Sequence, residues 1–132
     1  MVEYHSGSHY KYFLQMHLIL VCKYRKKLLV RFGSEVKNLC YDLSKRHNFI
    51  IKTMEVDKDH IHLLIDFKPK SSVKEIVRKL KSYTTVMLWK QYSVELKKDF
   101  WAEHTFWSDG YFVCTIGNAN EETIRKYIES QG

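Results

Sequence analysis

The sequence is short of the residues that interrupt regular structure. Its 132 residues include one proline, Pro69, and five glycines, and it contains no low-complexity tract. Disordered chains are usually rich in proline and poor in aromatic and branched residues, whereas 45% of this sequence is hydrophobic and 14% is aromatic. The length suits one folded domain spanning residues 1–132 and is too short for two of ordinary size.

Membrane, secretion and disulfide signals are also missing. No apolar run approaches the roughly 20 residues that a membrane-spanning helix needs, and residues 1–5 lack the pattern of a signal peptide. The cysteines Cys22, Cys40 and Cys114 are odd in number and have no Cys-x-x-Cys spacing, which disfavours both a disulfide framework and a cysteine zinc site. We therefore expect an intracellular, cytoplasmic protein with reduced, buried thiols.

Acidic residues are outnumbered by basic ones. Lysine and arginine total 22 against 15 aspartates and glutamates, which gives a formal charge of +7 and an isoelectric point near 9.3. Such an excess suits a polyanionic partner, because neutralising phosphates releases their condensed counterions. Composition thus favours a nucleic-acid partner, although basic proteins without one are common.

Hydrophobic spacing divides the chain into strands and helices. Runs dense in branched and aromatic residues predict strands, and apolar residues three or four apart after a serine predict helices. We expect a strand over 10–24, a helix from Ser34 to 46–48, a strand over 49–56, a strand at His60 closed by Pro69, a helix capped by Ser71 and Ser72, a strand over 111–117, and a helix from Glu121 to about Ser130. This order predicts an α+β, ferredoxin-like (RRM-like) fold, with an antiparallel sheet, two helices on one face and an added C-terminal helix.

A His-x-His motif opens the third predicted strand. Alternation along a strand places His60 and His62 on one face, while Ile61, Leu63 and Ile65 face a core on the other. Two neutral imidazoles on one face can bind a metal ion. The same spacing also occurs in pairs of ordinary, half-exposed histidines.

The last predicted helix carries Tyr127 and Gln131, which are four residues apart and share a face. A tyrosine hydroxyl can attack a phosphodiester once its proton is removed and the phosphate charge is compensated, although its ordinary pKa of about 10 makes it a poor nucleophile at neutral pH. A divalent ion at His60 and His62, with the amide oxygen of Gln131 as a further ligand, would help, and this ligand set would tolerate Mg or Mn. Taken alone, Tyr127 and Gln131 are ordinary surface residues.

Four segments together resemble the HUH single-tyrosine transposases of the insertion-sequence 200/605 family, which have a His-hydrophobic-His motif and one tyrosine nucleophile. The segments are VCKYRKKLL (21–29), DHIHLL (59–64), WSDGYFVCTIG (107–117) and IRKYIESQ (124–131). They follow the expected order over nearly the whole chain.

The resemblance implies a reaction and a set of ligands. Tyr127 would attack single-stranded DNA at the ends of the element and form a 5′-phosphotyrosine link. His60 and His62, with Gln131 as third ligand, would hold a divalent ion, Mg or Mn, and no nucleotide cofactor would be needed.

The resemblance also implies partners. Family members act as homodimers in which the tyrosine helix can complete the partner's site in trans, and they recognise imperfect DNA hairpins near the element ends. The side chains expected to contact DNA are Lys74, Arg78 and Lys81 of the second helix and Arg25 after the first strand. The protein would act in the cytoplasm of a prokaryotic cell, associated with the nucleoid.

Other functions stay open on the sequence alone. RNA-recognition modules of the same fold bind single strands through aromatic residues in the third strand, and residues 60–65 contain none. A catalytically silent relative that binds hairpins, or another HUH endonuclease such as a replication initiator or relaxase, would carry the same motif, although the small size favours a transposase. A zinc hydrolase would need ligands beyond His60 and His62, for which His104 is a candidate.

Overall fold

A four-stranded antiparallel sheet forms the centre of the computed structural model, which describes residues 5–6, 11–12, 14–115 and 121–131. The strands are β1 (His5–Ser6), β2 (Lys11–Tyr12), β3 (Gln15–Val21), β4 (Ile50–Val56), β5 (His60–Asp66) and β6 (Phe112–Thr115), and the helices are α1 (Leu29–His47), α2 (Val73–Leu96) and α3 (Glu121–Ser130). The sheet order is β4-β5-β3-β6, while β1 and β2 pair separately. This topology confirms the predicted ferredoxin-like α+β fold.

One face of the sheet belongs to the main core. Alternate side chains of β3 and β5 are at most 2% exposed and pack with α1 and α2; they are Met16, Leu18, Leu20, Ile61, Leu63 and Ile65. Because side chains alternate between faces along a strand, the intervening residues of β3 and β5 lie on the opposite face of the sheet. That opposite face carries the candidate site.

Helix α2 begins where the sequence predicts. The side chain of Ser72 accepts a hydrogen bond from the main-chain N–H of Glu75 at 3.3 Å, which is an N-cap. Further along the helix, the buried hydroxyl of Thr84 accepts a hydrogen bond from the indole N–H of Trp107 at 2.9 Å. This bond ties α2 to the segment that leads into β6.

The predicted start of the first helix is wrong. Helix α1 begins at Leu29 rather than after Ser34, and it ends at His47 as expected. Leu29 and Phe32 are buried and extend the apolar stripe of the helix backward. Gly33 lies inside the helix against the sheet, since a β-carbon there would come within 3.1 Å of a methyl group of Val56. The glycine therefore permits close packing and does not mark a helix boundary.

The first strand is shorter than predicted. Strand β3 covers 15–21, and residues 11–12 pair with β1 instead. After Cys22 the chain enters a 3₁₀ turn over Lys23–Arg25, which ends the extended conformation. Strands β4 and β6 each start one residue later than predicted, and residues 10, 13 and 116–117 of the predicted strands lie outside the described residues.

The three cysteines are free. Cys22 and Cys40 are buried, and burial raises the pKa of Cys40 to about 12. Cys114 is only half-buried, so the expected burial holds for two of the three thiols. Across the described ranges, no helix is both long and apolar enough to cross a bilayer.

Candidate active site

His60 and His62 lie on the sheet face opposite α1 and α2. In the antiparallel register His60 pairs with Val21 of β3 and His62 pairs with Ile19. Ile61, between them, is fully buried in the main core. Both imidazoles therefore share one face, as alternation predicts, and both are half-buried.

Asp59 holds one ring nitrogen of His60. Its Oδ1 lies 2.9 Å from Nδ1 of His60, and its Oδ2 accepts a hydrogen bond from Nε of Arg25 at 3.3 Å. Burial opposes the charged carboxylate, but the hydrogen bonds from His60 and Arg25 outweigh it and hold the pKa of Asp59 below its ordinary value. Asp59 is therefore an anion at neutral pH, and neutral His60 carries its proton on Nδ1, which leaves the Nε2 lone pair available.

Arg25 reaches Asp59 from a strained turn. Tyr24 and Arg25 have φ angles of 59° and 53°, a left-handed conformation that costs non-glycine residues roughly 1–3 kcal/mol each. Main-chain bonds fasten the turn, because the N–H of Cys22 donates to the carbonyl of Asp59 at 2.8 Å and the N–H of Lys23 donates to that of Phe106 at 2.9 Å. These contacts hold Arg25 beside Asp59.

His62 is hydrogen-bonded to a third histidine. Its Nε2 lies 2.8 Å from Nδ1 of His17 on β3, with the ring centroids 5.0 Å apart. Burial, and then the neighbouring His17, lowers the pKa of His62, so its imidazole is neutral at pH 7. Motif spacing does not reveal His17, which is 45 residues away. Pairing the predicted first strand with the His-x-His strand, and assigning alternate side chains of each strand to the same sheet face, could have found it.

The two motif histidines suit a divalent ion. Each is held by an outer partner at one nitrogen, which is the usual state of metal-binding histidines. Among the described residues no three His, Cys, Asp or Glu side chains are gathered as a metal site, so a cation here would take its remaining ligands from amide, phosphate or water oxygens. His104, the extra ligand of the zinc alternative, instead stacks on Trp89 with ring centroids 4.3 Å apart.

Helix α3 packs on the same sheet face as the histidines. Its Ile128 is buried against Ile19 and Val21, and its Tyr127 contacts Phe112 with ring centroids 5.6 Å apart. Ile19 and Val21 are the cross-strand partners of His62 and His60. The fold thus places Tyr127 on the sheet face that carries both histidines.

The Tyr127 hydroxyl is buried without a hydrogen-bond partner in the part of the chain that the structure describes. A β-carbon placed on Gly110 would lie 3.5 Å from its oxygen. Burial raises the pKa of Tyr127 above its ordinary value. The hydroxyl is therefore a neutral phenol in this conformation.

Gln131 follows α3 and is anchored locally. Its main-chain N–H donates to the carbonyl of Ile128 at 3.1 Å, and its side-chain Nε2 donates to Oγ of Ser130 at 3.2 Å. The bond to Ser130 involves the side-chain amide nitrogen of Gln131. The amide oxygen, which is the atom that a hard cation prefers, takes no part in either bond. Within the described residues Gln131 is not hydrogen-bonded to either motif histidine.

The basic residues predicted to contact DNA differ in their surroundings. Lys74, Arg78 and Lys81 line one groove beside α2 with His104, Trp107 and Tyr111. Arg78 is exposed and paired with Glu75 at 2.8 Å. Lys81 is half-buried and donates to the carbonyls of Ser108 at 2.7 Å and Asp109 at 3.0 Å, and burial lowers its pKa. Arg25 is engaged with Asp59, as described above.

Comparison with known proteins tests the resemblance drawn from the four sequence segments. Residues 10–131 match the family described as "Transposase IS200 like". This chain belongs to the IS200-like transposase family. The match confirms the resemblance to the insertion-sequence 200/605 family and makes the protein a DNA-processing enzyme of the transposase class.

Relatives of this IS200-like transposase match it over nearly its full length. It is 32% identical over 131 residues to the ISDra2 transposase TnpA of Deinococcus radiodurans, covering 98% of this chain and 92% of that protein. It is 31% identical over 131 residues to the transposase for insertion sequence element IS200 of Salmonella typhimurium, covering 96% and 82%.

Solved structures share the fold of this IS200-like transposase. A crystal structure of a Deinococcus radiodurans protein assigned as a transposase matches with a TM-score of 0.87 at 28% identity, covering 96% of this chain and 97% of that one. A REP-associated tyrosine transposase bound to a REP hairpin matches with a TM-score of 0.57 at 14% identity, covering 94% and 69%. At that identity the second match concerns the fold alone.

Proposed function

We propose that this transposase cuts and rejoins single-stranded DNA at the ends of its insertion sequence, with Tyr127 as the nucleophile. The observation that carries the proposal is the packing of α3 on the sheet face that holds His60 and His62, which puts the phenol and both imidazoles on one surface. The basic charge of +7 supports a nucleic-acid substrate.

The proposed step exchanges one phosphate ester for another. The phenolic oxygen of Tyr127 bonds to phosphorus, and the bond between phosphorus and the 3′ oxygen breaks. The phenol proton passes to a base or to water, and the departing 3′ oxygen takes up a proton to become a hydroxyl. The product is a 5′-phosphotyrosine with a free 3′-hydroxyl, so no nucleotide cofactor is needed. Rejoining is the reverse attack by a 3′-hydroxyl.

His60 and His62, with the amide oxygen of Gln131, would hold a divalent ion, Mg or Mn. When bound, the ion would neutralise charge on the phosphate and favour in-line attack. The protein keeps both imidazoles ready for this role. Oδ1 of Asp59 lies 2.9 Å from Nδ1 of His60 and keeps the imidazole proton on that nitrogen. Burial lowers the pKa of His62 and keeps its imidazole neutral.

Tyr127 must become accessible before it can react. Its hydroxyl is shut off from solvent, and burial raises its pKa, so both proton loss and contact with a phosphate require α3 to shift on the sheet. We propose that binding of the DNA strand drives this shift, because the phosphate offers the hydroxyl a hydrogen-bond partner that it lacks among the described residues.

DNA recognition is proposed to use hairpins near the element ends. The proposed contact surface is the basic groove beside α2, which is lined by Lys74, Arg78 and Lys81. Arg25 forms an ion pair with Asp59, the neighbour of His60, and is proposed as a DNA contact close to the histidines. A fold relative whose structure is described as bound to a REP hairpin supports this choice of partner. Action in the cytoplasm, on nucleoid DNA, is part of the same proposal.

The experiment combines the protein with single-stranded oligonucleotides copied from both genomic ends that flank its gene, with and without Mg or Mn. We expect a metal-dependent covalent protein–DNA band on a denaturing gel, from one strand only. Tyr127→Phe should abolish the band. Tyr41→Phe, which changes an exposed tyrosine of α1, is the matched control and should leave it unchanged.

Two other results would overturn the mechanism. A wild-type protein that shifts hairpins on a native gel but forms no covalent band would be a hairpin-binding relative without catalysis. A band that persists in Tyr127→Phe would mean that another residue is the nucleophile, as expected if a different HUH chemistry applied.

A homodimer with composite sites completes the proposal. Helix α3 attaches to the sheet through Ile128 and Tyr127, and a second copy would present the same sheet surface. Mixing Tyr127→Phe with a His60→Ala, His62→Ala double variant tests the arrangement. Restored cleavage in the mixture supports sites completed in trans. No restoration, in a mixture shown to exchange subunits, contradicts it.

A further inference from the structure

His17 of β3 contacts one of the two proposed metal ligands. Its Nδ1 lies 2.8 Å from Nε2 of His62, with the ring planes inclined by 49°. At this distance the two nitrogens form a hydrogen bond, in which one imidazole donates and the other accepts. Both residues lie on the sheet face that carries the candidate site.

The direction of this bond determines which nitrogen of His62 can bind a metal ion. With His17 as the acceptor, His62 carries its proton on Nε2, and Nδ1 is the nitrogen that keeps a free lone pair; with His17 as the donor, neutral His62 would keep none. His60 has the opposite arrangement, because Asp59 engages its Nδ1 at 2.9 Å and leaves Nε2. The two motif histidines therefore offer different atoms.

We propose that His17 is a positioning residue that accepts the Nε2–H of His62 and thereby directs the Nδ1 lone pair of His62 to the divalent ion. The inference rests on the proposed function, since it takes His60 and His62 as metal ligands. It adds His17 to the residues that the site requires, and it assigns ligation through Nε2 to His60 and through Nδ1 to His62.

Strand β3 is a suitable support for a positioning residue. It is paired with β5 on one side and β6 on the other, and the neighbours of His17, Met16 and Leu18, are 2% and 0% exposed. Ile19 lies directly across from His62, which makes His17 the diagonal neighbour on the same face. A side chain on such a strand can orient its partner reproducibly.

Three substitutions of His17 separate the hydrogen bond from packing. His17→Asn places an amide oxygen near the position of Nδ1 and can still accept the proton of His62. His17→Gln places its amide nearer the position of Nε2, and His17→Leu fills the space without any acceptor. His47→Leu is the matched control, since His47 is an exposed residue at the end of α1.

Side-chain nitrogen NMR gives a readout that does not depend on activity. In the metal-free wild type we expect His62 to show a single form protonated at Nε2, and with Zn²⁺ as a diamagnetic probe we expect the ligand shift at Nδ1 of His62 and at Nε2 of His60. His17→Leu should turn His62 into a mixture of two tautomers, and His17→Asn should restore the single form. Zn²⁺ bound through Nε2 of wild-type His62 would overturn the inference.

Metal affinity provides the second readout. Loss of an outer partner of a ligating histidine typically weakens metal binding 10–100-fold. We expect Mn²⁺ binding, followed by the EPR signal of the free ion, to weaken about 10-fold or more in His17→Leu, to recover in His17→Asn and to stay unchanged in His47→Leu. Equal affinities in His17→Leu and His17→Asn would contradict a positioning role.

The outcomes distinguish this inference from the proposed function. If Zn²⁺ shifts neither His60 nor His62, both fail, because the histidines are then not metal ligands. If the NMR and affinity results are as expected but the wild type forms no covalent DNA band, the role of His17 stands and the Tyr127 mechanism fails. If the band forms while His17→Leu binds Mn²⁺ normally, only the positioning role fails.

Discussion

The hydroxyl oxygen of Tyr127 lies against Gly110, where an added β-carbon would be 3.5 Å from it. The oxygen is buried and lacks a hydrogen-bond partner among the described residues. A buried hydroxyl in this condition destabilises a fold by roughly 1–3 kcal/mol. The proposed nucleophile is therefore held in an environment that disfavours it until a phosphate arrives.

Removing this hydroxyl should stabilise the protein. We expect Tyr127→Phe to raise the free energy of unfolding by about 1 kcal/mol while it abolishes covalent attachment to DNA. Urea denaturation of the metal-free protein measures the stability, and the exposed Tyr41→Phe should leave it unchanged. A less stable Tyr127→Phe would show that the hydroxyl makes a favourable bond, contrary to its assignment as unpaired.

Asp59 should matter for the metal more than for the fold. Asp59→Asn keeps the shape of the side chain but removes the charge that holds the Nδ1 proton of His60. We expect Mn²⁺ affinity to fall about 10–100-fold, measured by EPR of the free ion. The control Asp42→Asn, on the exposed side of α1, should bind Mn²⁺ normally. Unchanged affinity in Asp59→Asn would remove Asp59 from the site.

Stability should depend on pH through His62. Burial and then His17 lower its pKa in the folded protein, so the unfolded chain binds the proton at a higher pH than the folded protein does. Protonation therefore favours unfolding. The contribution of His62 is complete above about pH 6.5 and is lost as the pH falls through the lower folded-state pKa.

The measurement is the urea midpoint of the metal-free protein at several pH values from about 8 to about 5. We expect wild type to lose stability over this range and His62→Gln to lose less. Asp59, whose pKa is lowered from 3.8, adds its own loss only in more acidic solution. The same pH dependence in wild type and in His62→Gln would mean that the folded protein does not lower the pKa of His62.

Lys81 and Lys74 should behave differently although both line the α2 groove. Lys81→Met removes charged hydrogen bonds to the carbonyls of Ser108 and Asp109, which should cost roughly 1.5–3 kcal/mol of stability. Lys74→Met removes an exposed charge and should leave the urea midpoint unchanged. It should weaken hairpin binding, and the slope of log K against log salt concentration should become shallower by about one. Equal stability in the two variants would assign Lys81 to the solvent-exposed surface instead.

Local signals predicted the elements whose ends are set locally. The cap at Ser72, the end of α1 near His47 and the strand at His60 each depend on a few adjacent residues, and each lies where the sequence predicts. The start of α1 was mispredicted because Gly33 and Ser34 have the composition of a helix boundary. A β-carbon at Gly33 would crowd Val56 of a distant strand, so close packing between helix and sheet, and not a helix boundary, explains a glycine at this position.

The surroundings of the motif residues could not be predicted in the same way. Hydrogen bonds join His17 to His62 across 45 residues and Lys81 to Ser108 across 27. Strand register and helix packing bring such pairs together, and neither can be inferred from the local spacing of residues along the sequence. The sequence could therefore nominate His60, His62 and Tyr127 but not the partners that hold them.

Strand β3 and helix α3 belong to parts of the protein that should open at different rates. Strand β3 is paired with strands on both sides, and its residues Leu18–Val21 are buried on both faces, so hydrogen exchange of these amides should require global unfolding. Among the described side chains of helix α3, Ile128 and Tyr127 pack on the sheet, and the amides of the helix should exchange through a smaller, local opening. If the two parts exchange at these different rates, the proposed nucleophile Tyr127 can leave and return to the sheet while β3 stays folded.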